Sequence, residues 1–179
     1  PMHPSESPRI PTAAAPGTRL ALFDLDCTLL PIDSDYEWAR FLIRLGVVDG
    51  PEYQRRNDVL FEQDPAGALD MREFLEFQLA PLAAHPRERL EAWHRQFMTE
   101  VIEPAIRAPA RALVERHRAG GDLLAIVTAT NEFVTAPIAR AFGVEHLIAT
   151  GIEVGAAGYT GRPHGTPSFR EGKVRRTEE

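Results

Sequence analysis

Two short apolar runs stand out along the chain. Arg19-Leu20-Ala21-Leu22-Phe23 ends abruptly in Asp24-Leu25-Asp26, and Leu123-Leu124-Ala125-Ile126-Val127 follows Gly120-Gly121 and ends in Thr128. Each has the length and unbroken apolar character of a strand buried on both faces. His146-Leu147-Ile148-Ala149 is a weaker third strand candidate. Between the first two runs the period becomes helical. Trp38, Phe41, Leu42 and Leu45 fall at i, i+3, i+4, i+7, and Met71, Phe74, Leu75 and Leu79 at i, i+3, i+4, i+8. Leu90, Trp93, Phe97 and Val101 repeat the pattern, as do Ile106, Ala110, Leu113 and Val114. Breaks are expected at Gly50-Pro51, Asp64-Pro65, His85-Pro86 and Glu103-Pro104.

The helix over 105–119 abuts the second strand and reads as the crossover of a parallel sheet. A further helix is expected over 132–142, closed by Gly143 and kinked or divided at Pro137. Gly155, Gly158 and Gly161 punctuate a hairpin-like stretch around Tyr159, and residues 171–179 could open another helix. This alternation predicts an α/β fold with a doubly wound, Rossmann-like parallel sheet. Residues 19–33 and 104–179 would form that core. The helices of 34–103 are too many for one crossover and read as an inserted helical cap. Residues 1–18 hold Pro1, Pro4, Pro8, Pro11 and Pro16 and lack an apolar segment. They read as a disordered leader, not a signal peptide, so a cytoplasmic protein is the expectation.

Composition narrows the function classes. With 179 residues, one domain or one domain with an insertion is expected. Net charge is −6, which is not the balance of a nucleic-acid binder. Cys27 is the sole cysteine, which excludes an intrachain disulfide and a Cys-rich zinc module. The most apolar stretch, Leu123 to Ala129, is far shorter than the ~20 residues that cross a bilayer, so no membrane partner is expected.

In doubly wound sheets ligands sit at the carboxyl ends of the strands. Asp24, Asp26 and Thr128 lie at those ends. If the strand path continues, Asp24 and Asp26 point to one side of the backbone. Two carboxylates this close can be pushed to different pKa values, one serving as nucleophile and the other as acid and base. An isolated Asp-x-Asp is more often a helix cap or a solvated turn. Thr128, followed by Ala129-Thr130-Asn131, offers a hydroxyl and backbone N–H groups suited to a phosphate oxyanion, or simply a helix cap. Lys173, in Glu171-Gly172-Lys173-Val174, could be a surface lysine.

As an ordered set these residues resemble the haloacid dehalogenase superfamily of phosphohydrolases, closest to its phosphoserine-phosphatase-like and histidinol-phosphatase-like branch. Asp24-Leu25-Asp26-Cys27-Thr28-Leu29-Leu30 is similar to the family's first motif, Ala125 to Asn131 to the second, and Gly172-Lys173-Val174 to the third. Pro137-Ile138-Ala139 and Tyr159-Thr160-Gly161 also match, and the likeness covers 19–176. It implies that Asp24 attacks phosphorus to form an aspartyl-phosphate, and that Asp26 protonates the leaving oxygen and then activates water. Thr128 and the backbone of Ala129 would hold the phosphoryl group, and Lys173 would neutralise charge. Mg²⁺ would sit on the Asp24 carboxylate and the Asp26 backbone carbonyl. The expected partner is a small phosphorylated metabolite, with phosphoserine or histidinol phosphate first. Asp33, Asp35, Trp38 and Arg72 are candidates for substrate selection. The resemblance also implies a fourth, acidic motif well after Lys173. Only six residues follow that lysine, and a segment beyond Glu179 is expected to carry the motif.

Weaker signals carry less. A cysteine phosphatase would need Arg six residues after Cys27, and position 33 is Asp. The six histidines show no metal-ligand spacing, and Gly155-Ala156-Ala157-Gly158 lacks the form of a nucleotide loop. Two rivals differ in class. One is a receiver-like, phospho-accepting protein, which the insertion at 34–103 argues against. The other is a catalytically silent binding protein on the same fold.

Overall fold

The computed structural model describes residues 17–66 and 71–168, together with Gly172, Val174 and Thr177. The elements in chain order are β1 (Leu20–Asp24), α1 (Ser34–Arg44), α2 (Gly50–Ala66), α3 (Met71–Ala84) and α4 (Arg87–Phe97). They continue with the single turn α5 (Glu103–Ala105), α6 (Ala108–Ala119), β2 (Leu123–Asn131), α7 (Glu132–Ala141), β3 (His146–Gly155) and β4 (Gly158–His164). Between α4 and α5 the chain stays coiled through Met98–Ile102 as one wider turn.

The strands form one sheet in the order β1-β2-β3-β4. β1 pairs parallel with β2, with Asp24 opposite Val127, and β2 pairs parallel with β3. The parallel core thus matches the sequence reading, with one addition. β3 runs well past Ala149 to Gly155 and turns back antiparallel into β4, so the hairpin around Tyr159 joins the sheet. Among the described residues β1 is an edge strand. Ala21 and Phe23 are buried, while Leu20 and Leu22 alternate with them on an exposed face.

The helices begin where local chemistry permits. Asp33 caps α1 by accepting from the Tyr36 N–H at 2.8 Å. Asn131 caps α7 through the Val134 N–H at 3.2 Å. Pro109, in the first turn of α6, occupies a position whose N–H has no helical partner. Two proline expectations shift. Gly50-Pro51 opens α2 and His85-Pro86 separates α3 from α4, as expected. Pro65, however, lies inside the last turn of α2, and α5 contains Pro104, so that break falls at Ile106–Arg107. Pro137 lies inside α7, within the helix expected over 132–142. Gly172, Val174 and Thr177 are helical, as the reading of 171–179 anticipated. Residues 1–16 of the expected leader lie outside the described residues.

Helices α1 to α4 fill the span assigned to the inserted cap. Their buried side chains join those of the sheet in one cluster, in which Trp38, Phe41, Leu79, Leu90 and Phe97 meet Phe23, Ile126, Phe133 and Ile138. Trp38 is its aromatic centre. It stacks on Phe41 and His94 and meets the edges or faces of Phe97 and Phe133. Burial pushes His94 below the usual imidazole range, so it is neutral, and its Nε2–H donates to the Val134 carbonyl at 2.8 Å. That bond ties α4 to the start of α7. Phe97 is fully buried and contacts three of these rings. Phe97→Ala should lower unfolding free energy by about 3–5 kcal/mol, read as a reduced denaturant midpoint with an unchanged slope.

Candidate active site

The parallel register sets Asp24, the last residue of β1, opposite Val127, next to Thr128, while β2 runs on to Asn131, and the chain leaves β1 through a compact turn. Asp24 and Asp26 are both extended (φ −76°, ψ 149° and φ −74°, ψ 131°), but Leu25 between them is helical, so β1 ends at Asp24 and the strand path does not run on through Asp26 as the sequence reading supposed. Cys27 then reverses the chain at φ 57°, ψ 15°. The turn is closed by the Cys27 N–H on the Ile32 carbonyl (3.1 Å) and the Leu30 N–H on the Leu25 carbonyl (3.0 Å). Cys27 is the one described non-glycine residue with positive φ. Asparagine and glycine tolerate that conformation better. Cys27→Asn should therefore stabilise the fold by up to about 1 kcal/mol, a rise of roughly 2–4 °C in melting temperature.

Asp26 is held by four donors from two directions. Its Oδ1 accepts from the Ser34 N–H at 2.8 Å and the Ser34 hydroxyl at 2.5 Å. Its Oδ2 accepts from the Thr128 hydroxyl at 2.9 Å and the Thr130 hydroxyl at 3.0 Å. The Ser34 N–H is one of the amides that the first turn of α1 leaves without a helical partner, and a carboxylate suits that end of a helix. The Thr130 N–H in turn donates to the Thr128 hydroxyl at 3.1 Å, fixing that side chain. On the other carboxylate, Asp24 Oδ2 accepts from the Thr28 hydroxyl at 2.8 Å. The pairing of β2 with β3 breaks between Val127 and Asn131, so the Thr128–Thr130 stretch leaves the regular ladder beside Asp26.

The site is strongly acidic. Burial first, then the neighbouring charges of Asp33 and Asp26, holds the Asp35 carboxyl well above the usual carboxylate range. Partial burial, then Asp33, Asp26 and Asp24, pushes the Cys27 thiol up. A raised thiol is a poor nucleophile, which agrees with the sequence argument against cysteine chemistry.

The structure therefore brings Asp24, Asp26 and Thr128 to one strand mouth. Ala129 lies beside them, its carbonyl accepting from the Thr150 hydroxyl at 2.7 Å. Lys173 lies outside the described residues, and so does the side chain of Arg72. Asp33 caps α1, and Asp35 and Trp38 are buried on that helix. The Ser34 and Thr130 contacts to Asp26 were not anticipated from the sequence. A signal for Thr130 exists: it lies two residues after Thr128, so on a continuing strand both hydroxyls share one face.

A family model described as haloacid dehalogenase-like hydrolase matches residues 21–179. The histidinol-phosphatase of Neisseria meningitidis is 43% identical over 161 residues, covering 89% of this chain and 72% of that protein. The crystal structure of a protein of unknown function from Bordetella pertussis is 58% identical with a TM-score of 0.84, covering 89% of this chain and 72% of that one. A substrate-bound phosphoserine phosphatase has a TM-score of 0.64 at 18% identity over 92% of this chain and 70% of its own, a likeness of fold.

Proposed function

The chain belongs to the haloacid dehalogenase-like hydrolase family, and on that premise we propose that it hydrolyses phosphate monoesters of small metabolites, with histidinol phosphate the first substrate to test. The observation that carries the reading is the pair Asp24 and Asp26 at one strand mouth, with Asp26 fixed by four donors from the two sides of the site.

The chemistry follows from these positions. An Asp24 carboxylate oxygen attacks phosphorus, and the bond from phosphorus to the leaving alcohol oxygen breaks. The Asp26 carboxyl gives its proton to that oxygen, so the product leaves as a neutral alcohol. Asp26, now a carboxylate, takes a proton from water as the water oxygen attacks the phosphorus. The bond from phosphorus to Asp24 then breaks, releasing phosphate and restoring both side chains. Ser34 and Thr130 keep the Asp26 carboxyl oriented through both steps. Thr128 has a single O–H to donate. Here it donates to Asp26, and an arriving phosphoryl oxygen at the same mouth competes for it.

The donor set suits Mg²⁺. The Asp24 carboxylate and the Asp26 backbone carbonyl are hard oxygens, and Mg²⁺ commonly takes one or two carboxylates while keeping several waters. Among the described residues no group of three or more His, Cys, Asp or Glu side chains adds to this pair. When bound, the ion would neutralise charge on the phosphoryl oxygens and the attacking carboxylate. Among the described residues no helix is long and apolar enough to cross a membrane.

The test is phosphate release from histidinol phosphate, phosphoserine and para-nitrophenyl phosphate, each with Mg²⁺ and with EDTA. Release that requires the ion and favours histidinol phosphate supports the full reading. Tight binding of histidinol phosphate without release would replace it with a silent binding protein.

A further inference from the structure

We propose that Thr150 is a positioning residue for this reaction. Its hydroxyl locks the peptide between Ala129 and Thr130, and through that peptide it aims the Thr128 hydroxyl at Asp26. The reaction rests on the phosphatase reading; the positioning rests on the following geometry.

The break in the β2–β3 ladder creates the need. Val127 pairs with Ile148 and Asn131 with Thr150, so β2 advances four residues while β3 advances two. A bulge re-aims side chains and takes its own peptide groups out of the ladder. Thr128 and Thr130 both lie on this one, and their hydroxyls reach Asp26 Oδ2 at 2.9 and 3.0 Å. Buried peptide groups outside a ladder need other partners. The Ala129 carbonyl accepts from the Thr150 hydroxyl at 2.7 Å, and the Thr130 N–H donates to Thr128 Oγ at 3.1 Å.

That carbonyl and that N–H belong to one planar peptide unit. Holding the carbonyl end therefore fixes the direction of the N–H. The N–H occupies a lone pair of Thr128 Oγ and leaves the single O–H of Thr128 to donate to Asp26. Ser34 holds the other carboxylate oxygen, so the two threonine hydroxyls set the direction of Oδ2.

Thr150 is itself held. It is 1% exposed, and its Oγ accepts from the Ser168 N–H at 3.2 Å. Ser168 is fully buried, and its hydroxyl donates to the Ile148 carbonyl at 3.4 Å. The bonds thus run in one direction, from the Ser168 N–H through Thr150 and the 129–130 peptide to Thr128 and Asp26, and such chains strengthen one another. The polar residues at the far end of the bulge have other tasks. Asn131 Oδ1 accepts from the Val134 N–H, and Glu132 Oε1 from the Ile152 N–H. A strand alone would accept valine at position 150; the bulge is what uses the hydroxyl.

The test compares Thr150→Val, which keeps the branched shape and removes the hydroxyl, with Thr150→Ser, which keeps the hydroxyl. The first readout is kcat/KM on two esters. One is the better substrate of histidinol phosphate and phosphoserine, whose alcohol needs the Asp26 proton. The other is para-nitrophenyl phosphate, whose nitrophenolate leaves without one. The ratio of the first to the second should fall at least about tenfold in Thr150→Val, as displacement of a reacting group does, and stay at the wild-type value in Thr150→Ser. The second readout does not involve turnover. Exchange of the Thr130 amide hydrogen should quicken about tenfold or more in Thr150→Val. It should stay slow in Thr150→Ser, and the Val134 amide should keep its rate in both. Thr150→Cys, whose thiol is a weak donor, should shift both readouts in the same direction as Thr150→Val and carries the test if that variant does not fold. Equal losses on both esters, Thr150→Ser behaving like Thr150→Val, or an unchanged Thr130 amide overturns the role of Thr150. Failure of wild type to hydrolyse any of these esters overturns the phosphatase reading alone, and exchange at Thr130 still decides whether Thr150 holds the peptide.

Discussion

Asp24→Asn should abolish phosphate release, with turnover falling by at least about 10⁴-fold. An amide is too weak a nucleophile to open the phosphate ester and cannot carry the charge of a metal-binding carboxylate. The fold should survive. Asp24 is half-buried at the end of an edge strand, and the Thr28 hydroxyl that donates to it can donate to an amide oxygen equally well. Melting within about 2 °C of wild type would place the defect in chemistry, since about 1 kcal/mol moves a domain of this size by that much or more. Substantial release by the folded variant would mean that another group attacks phosphorus.

Asp26→Asn has the second largest expected effect, and its form matters more than its size. Turnover on histidinol phosphate should fall by about 10²–10⁴-fold, the range for a lost general acid and base. On para-nitrophenyl phosphate the two steps separate. Nitrophenolate leaves without a proton, so the first step should persist. Water still needs a base to attack the phosphorylated Asp24, so the second step should stall. A burst of nitrophenolate followed by slow turnover is the expected trace. The packing should tolerate the amide, because the Ser34 N–H can donate to its oxygen, and the hydroxyls of Thr128 and Thr130 can rotate to accept from its NH₂. Equal losses on both substrates without a burst would remove Asp26 from proton transfer to the leaving group.

The parts of this site that a reader of the sequence could see are the local ones. Asp24 closes a strand of five residues with Asp26 two positions on, and Thr128 lies in the second strand where it passes the site. A parallel register then has little choice but to bring them together. The four donors on Asp26 were harder to see. Ser34 and Thr130 lie 8 and 104 residues from Asp26; no pattern points from Ser34 to it, and Thr130 is signalled only by its spacing of two from Thr128. Asp33 and Asp35 look alike in the sequence, since both are aspartates at the start of a helix. Only packing separates them, because Asp33 faces the open end of α1 and Asp35 the buried side.

The fold divides the same way. Periodicity located α1, α3 and α4, because their apolar faces repeat over several turns around Trp38, Leu79 and Leu90. Proline was the less faithful guide. Pro65 and Pro104 sit inside α2 and α5 where breaks were expected, whereas Pro86 lies where the chain turns and Pro137 lies inside its helix as expected. The β3–β4 hairpin was visible as glycines around Tyr159. Its membership of the sheet was not, since that depends on β3 extending past Ala149 to pair with β4 on one side after β2 on the other.

The most direct test of Asp24 as the phosphate carrier uses the stalled variant. Asp26→Asn is mixed with para-nitrophenyl phosphate and Mg²⁺, quenched in acid within the burst, and its peptides are mapped by mass spectrometry. The account predicts one phosphoryl group, on Asp24, absent when the same experiment is run on the Asp24→Asn, Asp26→Asn double variant. A phosphoryl group on any other residue, or a nitrophenolate burst with no phosphorylated peptide, would contradict it.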